Sequence, residues 1–327
     1  MAISFEEFSK LHSPQGVQEE KEIKNVFTFE ELITDETTED NPIIEGVLDP
    51  GELAIISGYP KTKKTFMAIQ MAVETALGKN LFRVFPTAGG PTCFVSLEEG
   101  IRGIKKKLRF LYPDLKEFPN TMFYFPSSFS LEELENILRK DNPILVVIDN
   151  LGLFLSGLEE KRGSAYEDEY TRLNTLKELL KKYPWTSIVL LHHKNKQGQY
   201  LGTTAIKAVP DVFWEIEKRN DYEGDEAVKV EGEFRNKKAL NFVLDFQEGE
   251  GFSYAGEPQD TQVRKTSELI LKLLEENEEK REWKRKEIFS ALKEKNPEIQ
   301  EPTMDKALKS LLKQGHIQKL KRGVYTF

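Results

Sequence analysis

The pattern of hydrophobic and polar positions predicts strands that alternate with helices from residue 43 onward. Short, nearly continuous apolar runs predict buried strands at residues 53–56, 92–97, 122–125, 144–148 and 187–191. Apolar residues at helical spacing lie between these runs, at residues 66–77, 101–111, 131–139 and 166–182. Buried strands alternating with helices are typical of α/β folds, in which helices cover both faces of a mostly parallel sheet. Later strand patterns, at residues 212–217, 227–233 and 240–246, predict antiparallel additions at one edge.

The last part of the chain follows a different plan. Helical patterns occur at residues 267–276, 284–293 and 303–314, and two short strand patterns follow at residues 316–320 and 324–327. Three helices followed by a hairpin are typical of a winged helix, a variant of the helix-turn-helix. A stretch rich in Gly, Pro and Asp precedes them and predicts a linker. The expected domains are an acidic arm at 1–41, an α/β domain at 42–247, a linker at 248–265 and a winged-helix domain at 266–327.

The segment LAIISGYPKTKKT, residues 53–65, has the layout of a phosphate-binding loop (P loop). A strand ends at a glycine, and a helix begins directly after Lys64 and Thr65. Backbone N–H groups of such a loop and the positive end of the helix bind phosphates. Lys64 is expected to reach the β- and γ-phosphates of ATP, and Thr65 to bind Mg²⁺. The predicted nucleotide contacts are Gly58, Pro60, Lys61, Thr62, Lys63, Lys64, Thr65 and Phe66.

Lys63 departs from the P-loop pattern, which has glycine at this position. A left-handed backbone costs a non-glycine residue about 1–2 kcal/mol. An ammonium about 4 Å from a phosphate charge gains roughly 4 kcal/mol at an effective dielectric of 20, before desolvation. Nucleotide binding is therefore expected, whereas turnover is more sensitive, because a misplacement of about 1 Å can lose about 10²-fold in rate. The spacing to Thr65 favours Lys64 over Lys63 as the phosphate-binding lysine.

Two acidic residues follow predicted strands. The run ILVVIDN, residues 144–150, delivers Asp149 to the end of a strand, where it would hold Mg²⁺ together with Thr65. The run CFVSLEEG, residues 93–100, places Glu98 where a carboxylate could orient the attacking water. The alternative is that Glu98 and Glu99 cap the start of the next helix.

The run LEE within that segment resembles the post-strand element of RecA-like ATPases, whose glutamate after leucine positions water. The resemblance implies that Glu98 is catalytic and that Glu99 is its solvated neighbour. Further stretches resemble RepA-type replicative helicases across residues 42–247, in the same order and spacing: PIIEGVLDPGELAIISG, SLEEGIRGIKKKL, VVIDNLGLFL, SIVLLHHKNKQGQYLGTTAI and FRNKK. The resemblance implies a RecA-like P-loop NTPase core, ATP and Mg²⁺ as cofactors, a ring or filament of identical subunits, and single-stranded DNA as partner.

The same resemblance assigns roles to individual residues. His193 would sense the γ-phosphate, and Lys194 and Lys196 would lie on a DNA-facing loop, whereas His192 would pack under the sheet edge. Arg235 matches an arginine finger that enters the neighbouring subunit's site, although Glu233 stands where related helicases often have lysine. A structural histidine and a solvated edge-strand arginine remain the alternatives. The GTT at residues 202–204 resembles a glycine-serine element of the family.

The C-terminal segment is cationic. Between residues 303 and 327 a single acid, Asp305, accompanies six basic residues, Lys306, Lys309, Lys313, Lys319, Lys321 and Arg322. Three of these lysines recur at helical spacing, so one helix face would bind DNA phosphates, with an affinity that falls in salt. The alternative is a solvated lysine face on a domain that pairs with proteins.

Composition limits the remaining possibilities. The 327 residues contain one cysteine, Cys93, which excludes disulfides and cysteine-rich zinc sites. Residues 259–327 contain 16 Lys and Arg against 12 Asp and Glu, whereas residues 1–258 contain 31 against 43. No apolar run approaches the roughly 20 residues of a membrane span, and the N-terminus lacks the pattern of a signal peptide. We therefore expect a cytoplasmic protein with no membrane partner.

These features favour an ATP-dependent DNA motor, a helicase or translocase in replication or recombination, whose active site is completed between subunits. A second hypothesis is a DNA-binding regulator whose degenerate P loop holds nucleotide and hydrolyses it slowly or not at all. A small-molecule kinase is disfavoured by Glu98 and by the HHK sequence at residues 192–194.

Overall fold

The computed structural model describes residues 28–30, 41–114, 119–158, 164–194, 203–219, 227–277, 279–280 and 282–326. The chain divides into two compact units. The first comprises Met1–Glu217, Val230–Leu240 and Phe246–Ser253, and the second comprises Lys218–Lys229, Asn241–Asp245 and Tyr254–Phe327. The predicted acidic arm lies almost entirely outside the described residues, as does Lys196.

Strands and helices alternate along most of the described chain. The strands of the larger sheet are β1 (Leu53–Gly58), β2 (Thr92–Ser96), β3 (Thr121–Tyr124), β4 (Leu145–Asp149), β5 (Ser187–His193), β6 (Val212–Lys218), β7 (Val228–Phe234), β8 (Leu240–Gln247) and β9 (Gly251–Gly256). The helices between them are α1 (Lys64–Ala76), α2 (Ile101–Leu111), α3 (Leu131–Asp141), α4 (Leu151–Ser156), α5 (Ala165–Lys182) and α6 (Ala205–Ala208).

The nine strands form one sheet in the order β3-β2-β4-β5-β1-β6-β7-β8-β9. The pairs from β3 to β6 are parallel, with Gly58 opposite His193 and Ser96 opposite Asp149. The connections from β7 to β8 and from β8 to β9 are too short for a parallel crossover, so these strands run antiparallel. The carboxyl ends of β1, β2, β4 and β5 therefore meet at one edge of the sheet.

The apolar runs explain this layering. β1, β2 and β4 are buried along their whole length. Side chains alternate between the two faces of a strand. Leu53 and Ile55 pack in one cluster with residues of α3 and α5, such as Leu134 and Leu176. On the other face α1 covers the sheet, and Thr92 donates to the carbonyl of Ala72 at 3.1 Å. The predicted α/β fold with a mostly parallel, doubly covered sheet is confirmed.

Element positions agree with the sequence pattern to within two residues for the first five strands and the four helices between them. The expected linker at 248–265 is wrong, because its residues form β9 and the first turns of α7 (Pro258–Glu275). Gly249 and Gly251 have φ of 75° and 69° in a tight turn between two strands, so the glycines mark a hairpin. Helix α4 was not predicted either.

The second unit contains three helices, α7, α8 (Arg285–Lys295) and α9 (Glu301–Gln314). A three-stranded sheet accompanies them, in the order β10 (Trp283–Lys284), β12 (Val324–Thr326) and β11 (Gln318–Lys321). Its core includes Ile288, Met304, Leu308 and Leu311. The basic side chains expected on the last helix and hairpin are all exposed, namely Lys306, Lys309, Lys313, Lys319, Lys321 and Arg322.

None of the helices in the described ranges has the length and apolar character that crossing a membrane requires.

Candidate nucleotide-binding site

The loop between β1 and α1 has the backbone of a phosphate cradle. Gly58 approaches β6 so closely that a Cβ would lie 2.5 Å from the carbonyl oxygen of Ile216, so glycine is required there. Lys61 and Lys63 both have left-handed backbones, with φ of 68° and 62°. Lys63 is also the N-cap of α1. The position that departs from the motif therefore keeps the conformation that glycine adopts most easily.

The ammonium of Lys63 lies on aromatic rings. Its Nζ is 4.2 Å from the ring centroid of Phe246 and 5.4 Å from that of Phe66. Phe110 stacks on Phe246 with centroids 5.7 Å apart. A cation–π contact contributes about 0.5–2 kcal/mol, which is comparable to the cost of the left-handed backbone. The fold therefore accommodates Lys63 through a contact that the motif does not contain.

Lys64, by contrast, lies inside the loop. Its Nζ donates to the carbonyl oxygens of Gly58 and Tyr59, both at 2.8 Å, and lies 3.4 Å from the hydroxyl of Thr62. Burial lowers the pKa of Lys64 to about 8, although the carboxylates of Asp149 and Glu98 act in the opposite direction. A buried ammonium whose partners are neutral carbonyls would gain from an anion, and phosphate is such an anion.

Thr65 and Asp149 meet across the sheet edge. The Thr65 hydroxyl donates to Oδ2 of Asp149 at 2.8 Å, and Asp149 is 2% exposed. Burial raises the pKa of Asp149, the hydrogen bond from Thr65 lowers it, and the nearby charge of Glu98 raises it further. One hydroxyl and one carboxylate are hard oxygen ligands, and Mg²⁺ commonly takes few protein ligands beside phosphate and water. The two residues fit a Mg²⁺ ion.

Glu98 is held by two donors. Its Oε2 accepts from Nδ2 of Asn150 at 2.6 Å and lies 3.2 Å from Nε2 of His193. Burial tends to raise the pKa of Glu98, but these two hydrogen bonds and the charge of His193 outweigh it and lower the pKa. An ionised carboxylate only accepts hydrogen bonds, so Nε2 of His193 carries a proton. A water molecule would thus meet a charged, oriented carboxylate.

Asn150 was missed by the sequence reasoning. It directly follows Asp149, and its side-chain oxygen also caps α4 by accepting from the backbone N–H of Leu153 at 3.1 Å. The only available signal was that position, because Glu98 lies 52 residues earlier in the chain. Glu98 and Asn150 meet because the strands that precede them, β2 and β4, are neighbours in the sheet.

Glu99 differs from its expected role as a solvated neighbour. Both of its carboxylate oxygens lie 2.5 Å from Nζ of Lys107, in the middle of α2. The N-cap of α2 is Gly100, which forms no side-chain cap. The alternative in which Glu98 and Glu99 cap this helix is therefore not what the structure shows.

The residues at the end of β5 follow expectation only in part. His192 is buried, with Nδ1 3.4 Å from the hydroxyl of Ser57, as expected for a residue packed under the sheet edge. The expectation that Lys194 lies on a DNA-facing loop is wrong, because its side chain is 4% exposed and pairs with Glu215. This carboxylate on β6 explains the position of Lys194. Lys196 and Gly202 lie outside the described residues, while Thr203 donates to Glu169 at 2.6 Å.

Arg235 lies at the opposite edge of the sheet from the P loop. Its Nη2 donates to the carbonyls of Ala208 and Val209, each at 3.1 Å, and its Nε lies 3.3 Å from Asp211. Asp211 also accepts from the backbone N–H of Leu53, the first residue of β1. The P loop begins at the other end of β1, roughly 20 Å away at about 3.3 Å per residue. Arg235 is half exposed and does not approach its own nucleotide site.

Fold and site together define the class of P-loop ATPases with a RecA-like core. A family model described as "AAA domain" matches residues 18–199, more than half of the chain, so the protein belongs to that family. A solved structure of the ATPase domain of a helicase is similar, with a TM-score of 0.50 and 16% identity. The match covers 62% of this chain and 84% of that chain, and at this identity it concerns the fold alone. No curated protein matches the chain. Membership of a P-loop ATPase family implies nucleotide and Mg²⁺ as ligands.

Proposed function

We propose that the protein is an ATP-dependent motor acting on DNA, of the RepA or RecA-like type, with active sites shared between subunits. The observation that carries this proposal is the Glu98 carboxylate, held by Asn150 and His193 beside the Thr65–Asp149 pair. That arrangement suits ATP hydrolysis better than phosphate transfer to a small molecule, because a charged carboxylate is aimed at the site of attack.

The residues divide the chemistry among themselves. Lys64 would exchange its carbonyl partners for phosphate oxygens, and the N-terminus of α1 would add its positive dipole. Thr65 and Asp149 would hold Mg²⁺, which neutralises charge on the phosphates when bound. Glu98 would orient the attacking water and accept its proton. His193, whose Nε2–H already donates to Glu98, would change partner when a γ-phosphate is present.

Assembly of several subunits is supported by the position of Arg235. A guanidinium at the far edge of the sheet cannot complete its own subunit's site, but it can reach the site of a neighbour. A finger supplied in trans is worth about 10³–10⁵-fold in rate, so an isolated subunit would be nearly inactive. Within the subunit, Glu233 pairs with Lys207 at 3.2 Å, so the departure at that position is compensated locally.

DNA is the partner that the remaining features favour. The segment after β5 contains Lys196, and the second unit carries the exposed cationic face of α9 and β11. Three helices with a small sheet fit a winged-helix domain, and its lysine face would bind duplex phosphates. Single-stranded DNA would contact the ATPase core.

A second candidate function is a nucleotide-binding regulator with slow or absent turnover. Lys63 favours it, because a left-handed lysine held on Phe246 can displace the γ-phosphate from its best position. This protein would bind ATP and DNA without releasing phosphate at any subunit concentration.

The test is phosphate release by mixtures of two inactive variants, with and without single-stranded DNA. Glu98→Gln removes the carboxylate from a site, and Arg235→Ala removes the finger that the subunit lends. If the finger acts in trans, a 1:1 mixture rebuilds about one interface in four and recovers activity that neither variant has alone. Recovery that rises with protein concentration supports the motor. No phosphate release by wild type, despite ATP binding, supports the regulator.

A further inference from the structure

Helix α2 carries a row of positive charges that has no role in the nucleotide site. Arg102, Lys105, Lys106 and Arg109 stand at i, i+3, i+4 and i+7, which places them on one face of the helix. All four are exposed, and among the described residues none has an ion-pair or hydrogen-bond partner. We call these four residues the α2 stripe. The helix contains no acidic residue.

The orientation of the α2 stripe is fixed by the opposite face of the helix. Ile104 and Leu111 are buried there, and Lys107 binds both carboxylate oxygens of Glu99. The four charges therefore share a surface about 10 Å long, at about 1.5 Å of rise per residue. Like charges at i, i+3 and i, i+4 destabilise a helix, and a cation in the first turn opposes the helix dipole. The sequence keeps this arrangement against the local preference of the helix.

Elsewhere in the same unit, cations of helices and loops have carboxylate partners. Lys177 pairs with Asp211, Lys181 with Glu178, Lys182 with Glu135 and Lys237 with Asp49. The 258 residues that include this unit carry 43 acidic against 31 basic side chains. An unpaired positive row on an otherwise acidic part of the chain is complementary to a polyanion, whose phosphates would approach this face and be repelled by most others.

We propose that the α2 stripe binds the phosphate backbone of single-stranded nucleic acid. The choice of this polyanion rests on the proposed function. Helix α2 begins shortly after Glu98, and the Glu99–Lys107 pair joins its middle to the segment that carries Glu98. A strand lying on α2 would thus hold the element that positions the water-orienting carboxylate, and nucleic acid would raise the rate of phosphate release through this contact.

The test compares two variants with equal loss of charge. The first replaces Arg102, Lys105, Lys106 and Arg109 with Gln. The control replaces Arg139, Lys140, Lys181 and Lys182 with Gln, at exposed ends of α3 and α5 that precede β4 and β5 and so lie at the other sheet edge. Binding of a fluorescent oligothymidine is measured by anisotropy at several salt concentrations, and binding of a fluorescent ATP analogue reports the fold of the site.

The α2 variant is expected to keep nucleotide affinity and to bind the oligonucleotide at least about 10-fold more weakly in low salt. The slope of log K against log salt should fall by about 2–3, since each phosphate contact contributes about 0.7 for single strands. The control should keep both affinity and slope. A milder variant, Arg102→Lys with Arg109→Lys, keeps the charge and should keep the slope.

Three results would overturn the inference. Equal affinity and slope for wild type and the α2 variant would remove this contact while leaving the proposed DNA motor intact. Wild-type protein that hydrolyses ATP but binds no oligonucleotide would remove the DNA motor as well. Loss of self-association in sedimentation, with unchanged DNA binding, would show that the α2 stripe docks on an acidic face of a second copy.

Discussion

The ammonium of Lys63 lies 4.2 Å from the ring centroid of Phe246, and this contact accompanies a lysine in a left-handed backbone. The backbone conformation costs about 1–2 kcal/mol, and the cation–π contact returns about 0.5–2 kcal/mol. The two terms are of similar size. The departure from the P-loop pattern is therefore nearly neutral for folding, and its consequence falls on the position of the phosphates.

Replacing Lys63 with Gly should change the free energy of unfolding by less than about 1 kcal/mol, because strain and contact disappear together. Phosphate release should stay equal or rise, since glycine lets the backbone approach the phosphates. Urea denaturation and a phosphate-release assay measure the two effects.

A double-mutant cycle with Phe246→Leu isolates the contact. Phe246→Leu should cost more in wild type than in the Lys63→Gly background, with a coupling of about 0.5–2 kcal/mol. A coupling near zero would show that Lys63 gains nothing from the ring.

Asn150 should act by positioning Glu98. Replacing Asn150 with Ala removes one of two donors that keep Glu98 ionised, so the pKa of Glu98 rises. The acidic limb of the pH profile for phosphate release should then move to higher pH, because the active form is the carboxylate. A lower maximal rate with little change in ATP affinity should accompany the shift.

Asn150 also caps α4, so the variant loses about 1 kcal/mol of stability for a separate reason. Asn150→Asp keeps an acceptor for the cap but places a negative charge beside Glu98, and should move the limb further in the same direction. Lys107→Gln, which releases Glu99 instead, should leave the limb in place. Unchanged profiles for both Asn150 variants would contradict the role.

Glu74 on α1 should make stability depend on pH. Burial raises its pKa to about 7 from 4.5, even though its carboxylate accepts from Gln70 at 2.9 Å and from the backbone N–H of Phe82 at 3.0 Å. The unfolded chain then loses this proton at lower pH than the folded chain. The contribution of Glu74 is full below about pH 4.5 and is lost as pH rises through about 7.

Glu74→Gln mimics the protonated form and should remove this loss. Relative to wild type it should gain about 1–3 kcal/mol of unfolding free energy at pH 8 and little at pH 5. Urea denaturation at both pH values measures the difference, with Glu178→Gln as an exposed control. A difference that does not depend on pH would show that Glu74 keeps an ordinary pKa in the fold.

The sequence predicts the sheet well because its central strands are buried on both faces, which leaves continuous apolar runs such as residues 145–148. It predicts α4 poorly because LGLFLS is equally apolar and too short to show a helical period. Glycines at 249 and 251 suggested a linker, since a tight turn and a flexible segment share the same composition. The contacts of Asn150 with Glu98 and of Lys63 with Phe246 depend on strand order, which local patterns do not contain.

Lys194 shows the same limit from the other side. A lysine after a strand in an HHK sequence suggested a DNA-facing loop, but Glu215 on the strand two positions away in the sheet draws it into a largely buried ion pair. Its burial was set by a partner 21 residues later in the chain.

The most direct test of the central claim is calorimetric titration of ATP with Mg²⁺ into wild type, Lys64→Ala and Asp149→Asn. Wild type should bind one nucleotide per subunit, Lys64→Ala should give little or no heat, and Asp149→Asn should weaken binding only when Mg²⁺ is present. No heat from wild type, or equal binding by all three proteins, would contradict a site built from Lys64, Thr65 and Asp149.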